Sequence, residues 1–375
     1  MFNAMRLFSI FTKFAQSLKL TDPMQNFSER IRSLITDKRT AIAEQVVEEQ
    51  YKQYPEYWKQ FGAEGKRTSI RDAGYHLSFL AEALAVEDPE IFTDYIQWVK
   101  QVFRGIGFPD EVMVNTLKWT QEALNNFLPE DLYYTAAEYL DAGIRKMQEP
   151  VPEIYSYIDD SGYLGGLARD FNETLLKGDR RKASQMIVDE VQKGTPVRDI
   201  YLNIFQKSQL EVGRLWMENR ISVAQEHFVS AATQMIMSQL YPHIFTTERK
   251  GHTFVGACVG GELHEIGIRM VCDFFEMEGW DTWYLGANTP AYTLLQSAKE
   301  NKAEILGLSV TMPYYITTLR DVISRIRQDE YGKKLRLLVG GNGINNKTYL
   351  WKVLGADGYA PNAQEAIQAA DRLVS

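Results

Sequence analysis

After Lys250 the chain changes rhythm. Five short apolar runs, HTFVGACV (252–259), DTWYLG (281–286), EILGLSVT (304–311), LRLLVGG (335–341) and DGYA (357–360), alternate with helical segments at 267–279, 290–301, 314–328, 345–354 and 362–373. Strand and helix in strict turn predict a doubly wound parallel sheet of the Rossmann or flavodoxin kind over residues 250–375. Such sheets bind ligands beyond the carboxyl ends of their strands. The loops after the apolar runs are therefore where function is to be sought.

Before Lys250 the period is helical. Residues 163–249 hold four amphipathic segments broken at Gly178-Asp179, Gly194-Thr195-Pro196 and Asn219-Arg220, which predicts a four-helix bundle. Residues 23–148 form a further helical domain. FSERIRSLITDKRTAIAEQVVEEQYKQY, SIRDAGYHLSFLAEALAV, PDEVMVNTLKWTQEALNNFL and PEDLYYTAAEYLDAGIRKM carry the i, i+3, i+4 spacing, and Asp88-Pro89 and Phe108-Pro109 mark helix starts. The Pro- and Gly-containing stretch 149–162 reads as a linker. The fold class expected is thus α plus α/β. In residues 1–22, Phe8, Phe11, Phe14 and Leu18 share a helical face while Arg6, Lys13 and Lys19 interrupt the apolar run. That argues for an amphipathic docking or dimer-forming helix over stable membrane insertion.

The 375 residues carry a net charge of -8 with no basic block, so nucleic acid is not an expected partner. Cys258 and Cys272 are the two cysteines. Both stand in apolar surroundings and read as core thiols of a reducing, cytoplasmic setting. His243 and His252 read as structural or solvated.

Three loops at the strand ends carry unusual residues: Glu262-x-His264-Glu265-x-Gly267, Ser309-Val310-Thr311 and Gly340-Gly341-Asn342-Gly343. Singly each has a bland explanation, namely a solvated histidine, a helix cap and a glycine turn. Together, in this order and spacing, they resemble the cobalamin-binding domain family, whose pattern is Asp-x-His-x-x-Gly, then Ser-x-Leu, then Gly-Gly. The resemblance implies that His264 replaces the cofactor's dimethylbenzimidazole as lower cobalt ligand and that Glu262 accepts its other ring N–H. It implies that Gly267 leaves room for the displaced nucleotide tail. Ser309 and the Gly340-Gly341-Asn342 turn then contact that tail, and Glu265 and Thr311 flank the site. Glu262 departs from the family's Asp and Thr311 from its Leu, which puts the relay geometry in question.

The bundle bears on how the cofactor is used. Ser222-x-x-Gln225 is a capping box, which places Glu226 and His227 in the first turns of a helix. On their own they read as a surface Glu and a core-edge His. With Trp216 ahead of Glu226 and nine residues between them, however, the triplet resembles the CarH-type cobalamin photoreceptors. That resemblance implies adenosylcobalamin, with Trp216 shielding the adenosyl group, Glu226 holding it, and His227 able to bind cobalt opposite His264 after light breaks the Co–C bond. The alternatives are a corrinoid protein of a methyltransferase system and a cobalamin carrier.

A CarH-type repressor would begin with a helix-turn-helix domain, and none is visible here. His76, Phe79, Tyr95, Trp98 and Phe103 instead fall within two helices of an aromatic-rich domain. The overall arrangement resembles the photocobilins, in which a globin-like domain holds a bilin beside the cobalamin module. That implies biliverdin or a related linear tetrapyrrole near His76. It would be held without a thioether, since residues 1–249 contain no cysteine. Haem on His76 and a cofactor-free aromatic core remain open. Output is expected through an unidentified downstream protein or a homo-oligomer, with no catalysis by the chain alone.

Overall fold

The computed structural model describes residues 23–375, and side chains from 27 onward. The chain divides into two compact units, one of residues up to Ile96 with Glu111–Gln148, the other of Gln97–Asp110 with Glu149–Ser375. The amphipathic helix expected over 1–22 lies outside the described residues.

The first unit is helical: α1 (Pro23–Gln53), α2 (Pro55–Lys59), α3 (Gly62–Ala85), the first half of α4 (Pro89–Ile106), α5 (Asp110–Phe127) and α6 (Glu130–Gln148). Ile31, Ile35, Ile42 and Val46 line one face of α1, and Leu77, Leu80 and Leu84 one face of α3; all are buried. Each such side chain contributes about 1.5–3 kcal/mol on leaving water. Gly143 lets α6 lie against α4, because a Cβ there would stand 2.9 Å from the ring of Phe92. The short helix α2 was not foreseen. Pro55 ends the long α1 and opens a new turn.

The second unit opens with the bundle: α7 (Gly165–Leu176), α8 (Arg180–Gln192), a third rod and α11 (Val223–Gln239). The rod is α9 (Val197–Ile200), a π turn at Tyr201–Phe205 and α10 (Gln206–Met217), and a one-turn α12 (Tyr241–Ile244) follows α11. The breaks fall where the sequence places them. Gly178, Gly194 and Asn219 all have positive φ, the Asp179 side chain caps α8, and both halves of the Ser222/Gln225 capping box form.

The sheet is five-stranded and parallel, in the order β2-β1-β3-β4-β5, with β1 Thr253–Val259, β2 Asp281–Thr289, β3 Ile305–Ser309, β4 Arg336–Gly340 and β5 Gly358–Tyr359. Its helices are α13 (Ile266–Met277), α14 (Ala291–Glu300), α15 (Ile316–Arg327), the one-turn α16 (Asn342–Asn345) and α17 (Leu350–Val353), and α18 (Ala363–Val374). This is the flavodoxin order, and its switch point lies between β1 and β3. Cys258 pairs with Ser309 and Ser309 with Gly340, so the three motif-bearing loops leave the sheet from one row. The helix expected over 345–354 is broken in two. Asn345 donates to the Pro361 carbonyl and accepts from the Tyr359 hydroxyl, which ties the chain to β5 at that point. Cys258 and Cys272 are free and buried, as expected. Among the described residues no helix is long and apolar enough to cross a membrane.

Candidate functional site

Glu262 is the keystone of the switch point. It is fully buried, yet both carboxylate oxygens are satisfied. Oε1 accepts from the His264 backbone at 3.0 Å and from its Nδ1 at 2.5 Å. Oε2 accepts from the backbone N–H groups of Thr311 and Met312, each at 2.8 Å. Burial alone would raise its pKa; the His264 ring and backbone and the Met312 N–H outweigh it and bring the carboxyl down to about 2. One side chain thus orients the imidazole and pins the β3 loop to the β1 loop.

The partnership fixes the histidine. With Nδ1–H donated to Glu262, Nε2 keeps its lone pair, the form a metal requires. Glu262 also raises the His264 pKa, chiefly by that hydrogen bond and against the effect of burial, with further help from the charge of Glu226 on α11. The ring projects outward, its side chain 59% exposed, beside the exposed Leu263. An accessible nitrogen flanked by an apolar side chain on a braced loop suits the underside of a corrin. A Cβ on Gly267 would meet nothing within 4 Å, so the first turn of α13 is open where the family pattern routes the nucleotide tail. Here the residues present fit the cofactor.

The remaining loop residues divide. Ser309 is buried in the row at the end of β3. Thr311 contributes through its backbone N–H, which makes its departure from Leu immaterial to the clamp. Gly340 and Gly341 are required by the sheet itself: added Cβ atoms would lie 2.5 Å from the Ala360 carbonyl and 2.4 Å from that of Val310, and Gly341 has φ +97°. Asn342 is exposed at the start of α16. Glu265 braces the site rather than projecting into it. Its carboxylate accepts from Ala287 N–H at 2.9 Å and from Gln234 of α11 at 3.3 Å. Sequence reasoning missed Asn288, whose side chain accepts from Gly261 N–H at 2.7 Å and whose own N–H donates to the Glu262 carbonyl. Its φ of +51° left no trace in the pattern of the strand.

The bundle face is organised by α10 and α11. Gln209 donates to Thr233 at 3.0 Å and accepts from Ser230, which also bonds Glu226 at 2.9 Å. Trp216 lies seven residues, about two turns, beyond Gln209 and so faces the same seam, towards the start of α11. His227 is well exposed, its Nε2 3.4 Å from Glu226. Trp216 itself is partly buried, and its ring stacks on Trp98 at a centroid distance of 6.1 Å.

In the first unit, the Nδ1 of His76 lies 2.6 Å from the Tyr95 hydroxyl, and Tyr95 stacks on Phe79 with centroids 3.6 Å apart. Burial pushes the His76 ring down to about 4.

Both halves of the chain are similar to known protein families. Residues 252–368 match the B12 binding domain, residues 167–241 a second B12 binding domain model, and residues 16–147 the Phycobilisome protein model. Sheet and bundle thus each resemble a B12 binding domain, which supports cobalamin as the cofactor, and the helical domain before them resembles a phycobilisome protein. Dimethylamine corrinoid protein 3 of Methanosarcina mazei is 29% identical over 40% of this chain and 90% of its own length. A corrinoid protein of Desulfitobacterium hafniense (strain Y51) is 22% identical over 56% of this chain and 97% of its own. The monomethylamine corrinoid protein of Methanosarcina barkeri shares the fold, with a TM-score of 0.51, 19% identity, and coverage of 56% of this chain and all of that one. These relatives are corrinoid proteins by name. The photoreceptor resemblance rests on Trp216, Glu226 and His227 and is not carried by them.

Proposed function

We propose that the protein is a corrinoid protein holding cobalamin with His264 in place of the cofactor's own base, and that it carries a cobalt-bound group for a partner, as in a methyl-transfer system. The observation that carries this reading is the Glu262–His264 pair, a buried, fully satisfied carboxylate that presents an exposed imidazole at the switch point. The corrinoid relatives support the same use. Cobalt would supply the reactive axial position. The chain's own work is to fix the His264 tautomer through Glu262, to open the first turn of α13 at Gly267, and to lay the Gln209–Ser230–Glu226 seam over the opposite face. Electron paramagnetic resonance of the protein loaded with cob(II)alamin tests it. Nitrogen superhyperfine structure should change when histidine carries nitrogen-15 and should vanish in His264→Ala. Signals unchanged by the label would refute the reading.

A second reading, a light-responsive sensor holding adenosylcobalamin, is supported by two observations. Glu226 joins Gln209 and Ser230 in the α10–α11 seam with His227 beside it and Trp216 two turns beyond Gln209 on α10, and residues 16–147 resemble a phycobilisome protein. In that reading His76, with Tyr95 and Phe79, is the candidate edge of a non-covalent bilin or haem site. Illumination of the adenosylcobalamin complexes of wild type and His227→Ala separates the two uses, because a difference between their light products is expected of the sensor alone.

A further inference from the structure

The second half of α4 groups with the bundle. Residues 97–106 belong to the same compact unit as the bundle, whereas residues 89–96 of the same helix belong to the other. Two side-chain positions on that second half meet the end of α10. The Trp98 ring stacks on Trp216 with an interplanar angle of 27°. Seven residues on, Gly105 lies so close that a Cβ would stand 2.7 Å from the Met217 carbonyl oxygen and 2.8 Å from the Glu218 carbonyl carbon. Seven residues is about two helical turns, so both contacts lie on one face of α4. The backbone fits at Gly105 and the indole pair sits two turns away.

The other side of Trp216 is fixed more firmly. Arg214, buried, pairs with Glu211 at 2.5 Å and Glu218 at 2.8 Å, and Glu211 also accepts the Tyr157 backbone N–H at 3.0 Å. The helix carrying Trp216 therefore has a rigid frame. The Trp216 indole packs in part against the bundle core, and Trp98 is the aromatic ring stacked on it.

From this geometry we propose that Trp98 is a positioning residue for Trp216: it holds the Trp216 indole over the cofactor's upper face and thereby sets how readily the upper cobalt ligand is exchanged. The inference rests on the cobalamin reading above.

The test is ligand exchange on full-length protein loaded with hydroxocobalamin, followed by the visible absorption change as cyanide replaces the upper ligand. Trp98→Ala should speed exchange by about two- to tenfold, the range spanned by the contribution of an aromatic pair, and Trp98→Phe by less. Trp216→Ala should speed it as well. The double variant should be no faster than Trp216→Ala alone, because Trp98 acts through that indole. Additive effects of the two substitutions, or a Trp98→Phe protein that exchanges as fast as Trp98→Ala, would overturn the proposal, as would wild-type rates in Trp98→Ala. The nitrogen-15 signature of His264 is recorded on the same protein variants, made with nitrogen-15 histidine and loaded with cob(II)alamin. Its loss in the wild type would refute the cobalamin reading, whereas its presence with unchanged exchange rates refutes only the role of Trp98. Should Trp98→Ala not fold, Gly105→Ala displaces the same helix face, and its exchange rate must then also exceed that of wild type.

Discussion

Glu262 reaches across the switch point to Thr311: a carboxylate at the end of the β1 loop accepts the backbone N–H at the start of the β3 loop at 2.8 Å. The same group orients His264. Ligand geometry and loop geometry therefore meet in the one Glu262 carboxylate.

Glu262→Gln tests that coupling. The amide turns one acceptor into a donor and sets it against either the Thr311 and Met312 N–H groups or the His264 ring. Losing hydrogen bonds to a buried charge costs about 1.5–3 kcal/mol, and disturbing a metal ligand's hydrogen-bond partner about 10–100-fold in affinity. Denaturant unfolding of the apoprotein should show the first and titration with cobalamin the second. A variant with normal stability and weak binding would mean that the loop clamp does not depend on the charge.

Two buried groups give the units opposite pH dependence. His76, pushed down to about 4 by burial, is neutral when folded but protonates near pH 6.5 when unfolded. Stability of the first unit is therefore fully present above that value and is lost as pH falls towards 4, by about 3 kcal/mol. Asp273 of α13, 2.7 Å from the Tyr201 hydroxyl, is raised to about 6, mainly by burial and against the hydrogen bond from Tyr201 and the charge of Arg269. Its contribution is present below pH 4 and lost as pH rises through 6, again by about 3 kcal/mol. Differential scanning calorimetry between pH 4 and 7 should show the two unfolding steps moving in opposite directions. His76→Gln should flatten the first and Asp273→Asn the second.

Gly341→Ala should destabilise the second unit by about 2 kcal/mol or more, because it adds strain at a left-handed φ to a clash with the Val310 carbonyl. Thermal unfolding measures it. A stable Gly341→Ala protein would mean that the turn after β4 can rebuild, and that the glycine serves the ligand instead of the sheet.

How much of this was legible beforehand follows from which forces are local. Strand and helix alternation located all five strands, and the breaks at Gly178, Gly194 and Asn219 are visible because backbone conformation is written in single residues. Strand ends are not. The apolar run continues to Thr311, yet β3 stops at Ser309 because the Thr311 N–H turns to Glu262. The β2 run reads to Gly286, yet the strand continues through irregular pairing to Thr289. The Glu262–His264 pair is implied by the resemblance of its motif to the cobalamin-binding family, but Met312, Asn288 and Gln234 reach the site through tertiary contacts that no period records. The family pattern also assigned Gly340 and Gly341 to the ligand, whereas neighbouring carbonyls of the sheet already require them.

His227 decides between the two uses of the cofactor. Its side chain is 75% exposed and its close polar partner among the described residues is Glu226, 3.4 Å away, so His227→Ala should leave apoprotein stability within about 0.5 kcal/mol of wild type. Nothing in the packing requires an imidazole there. If the protein responds to light, the adenosylcobalamin complex should convert on illumination to a spectrum with two nitrogenous axial ligands in the wild type and one in His227→Ala, with His264 common to both. If it carries a cobalt-bound group for a partner, the two proteins should give the same illuminated spectrum and the same transfer rate. A difference in the light product would thus favour the sensor, and its absence the carrier, with the apoprotein unfolding curve guarding against a merely misfolded variant.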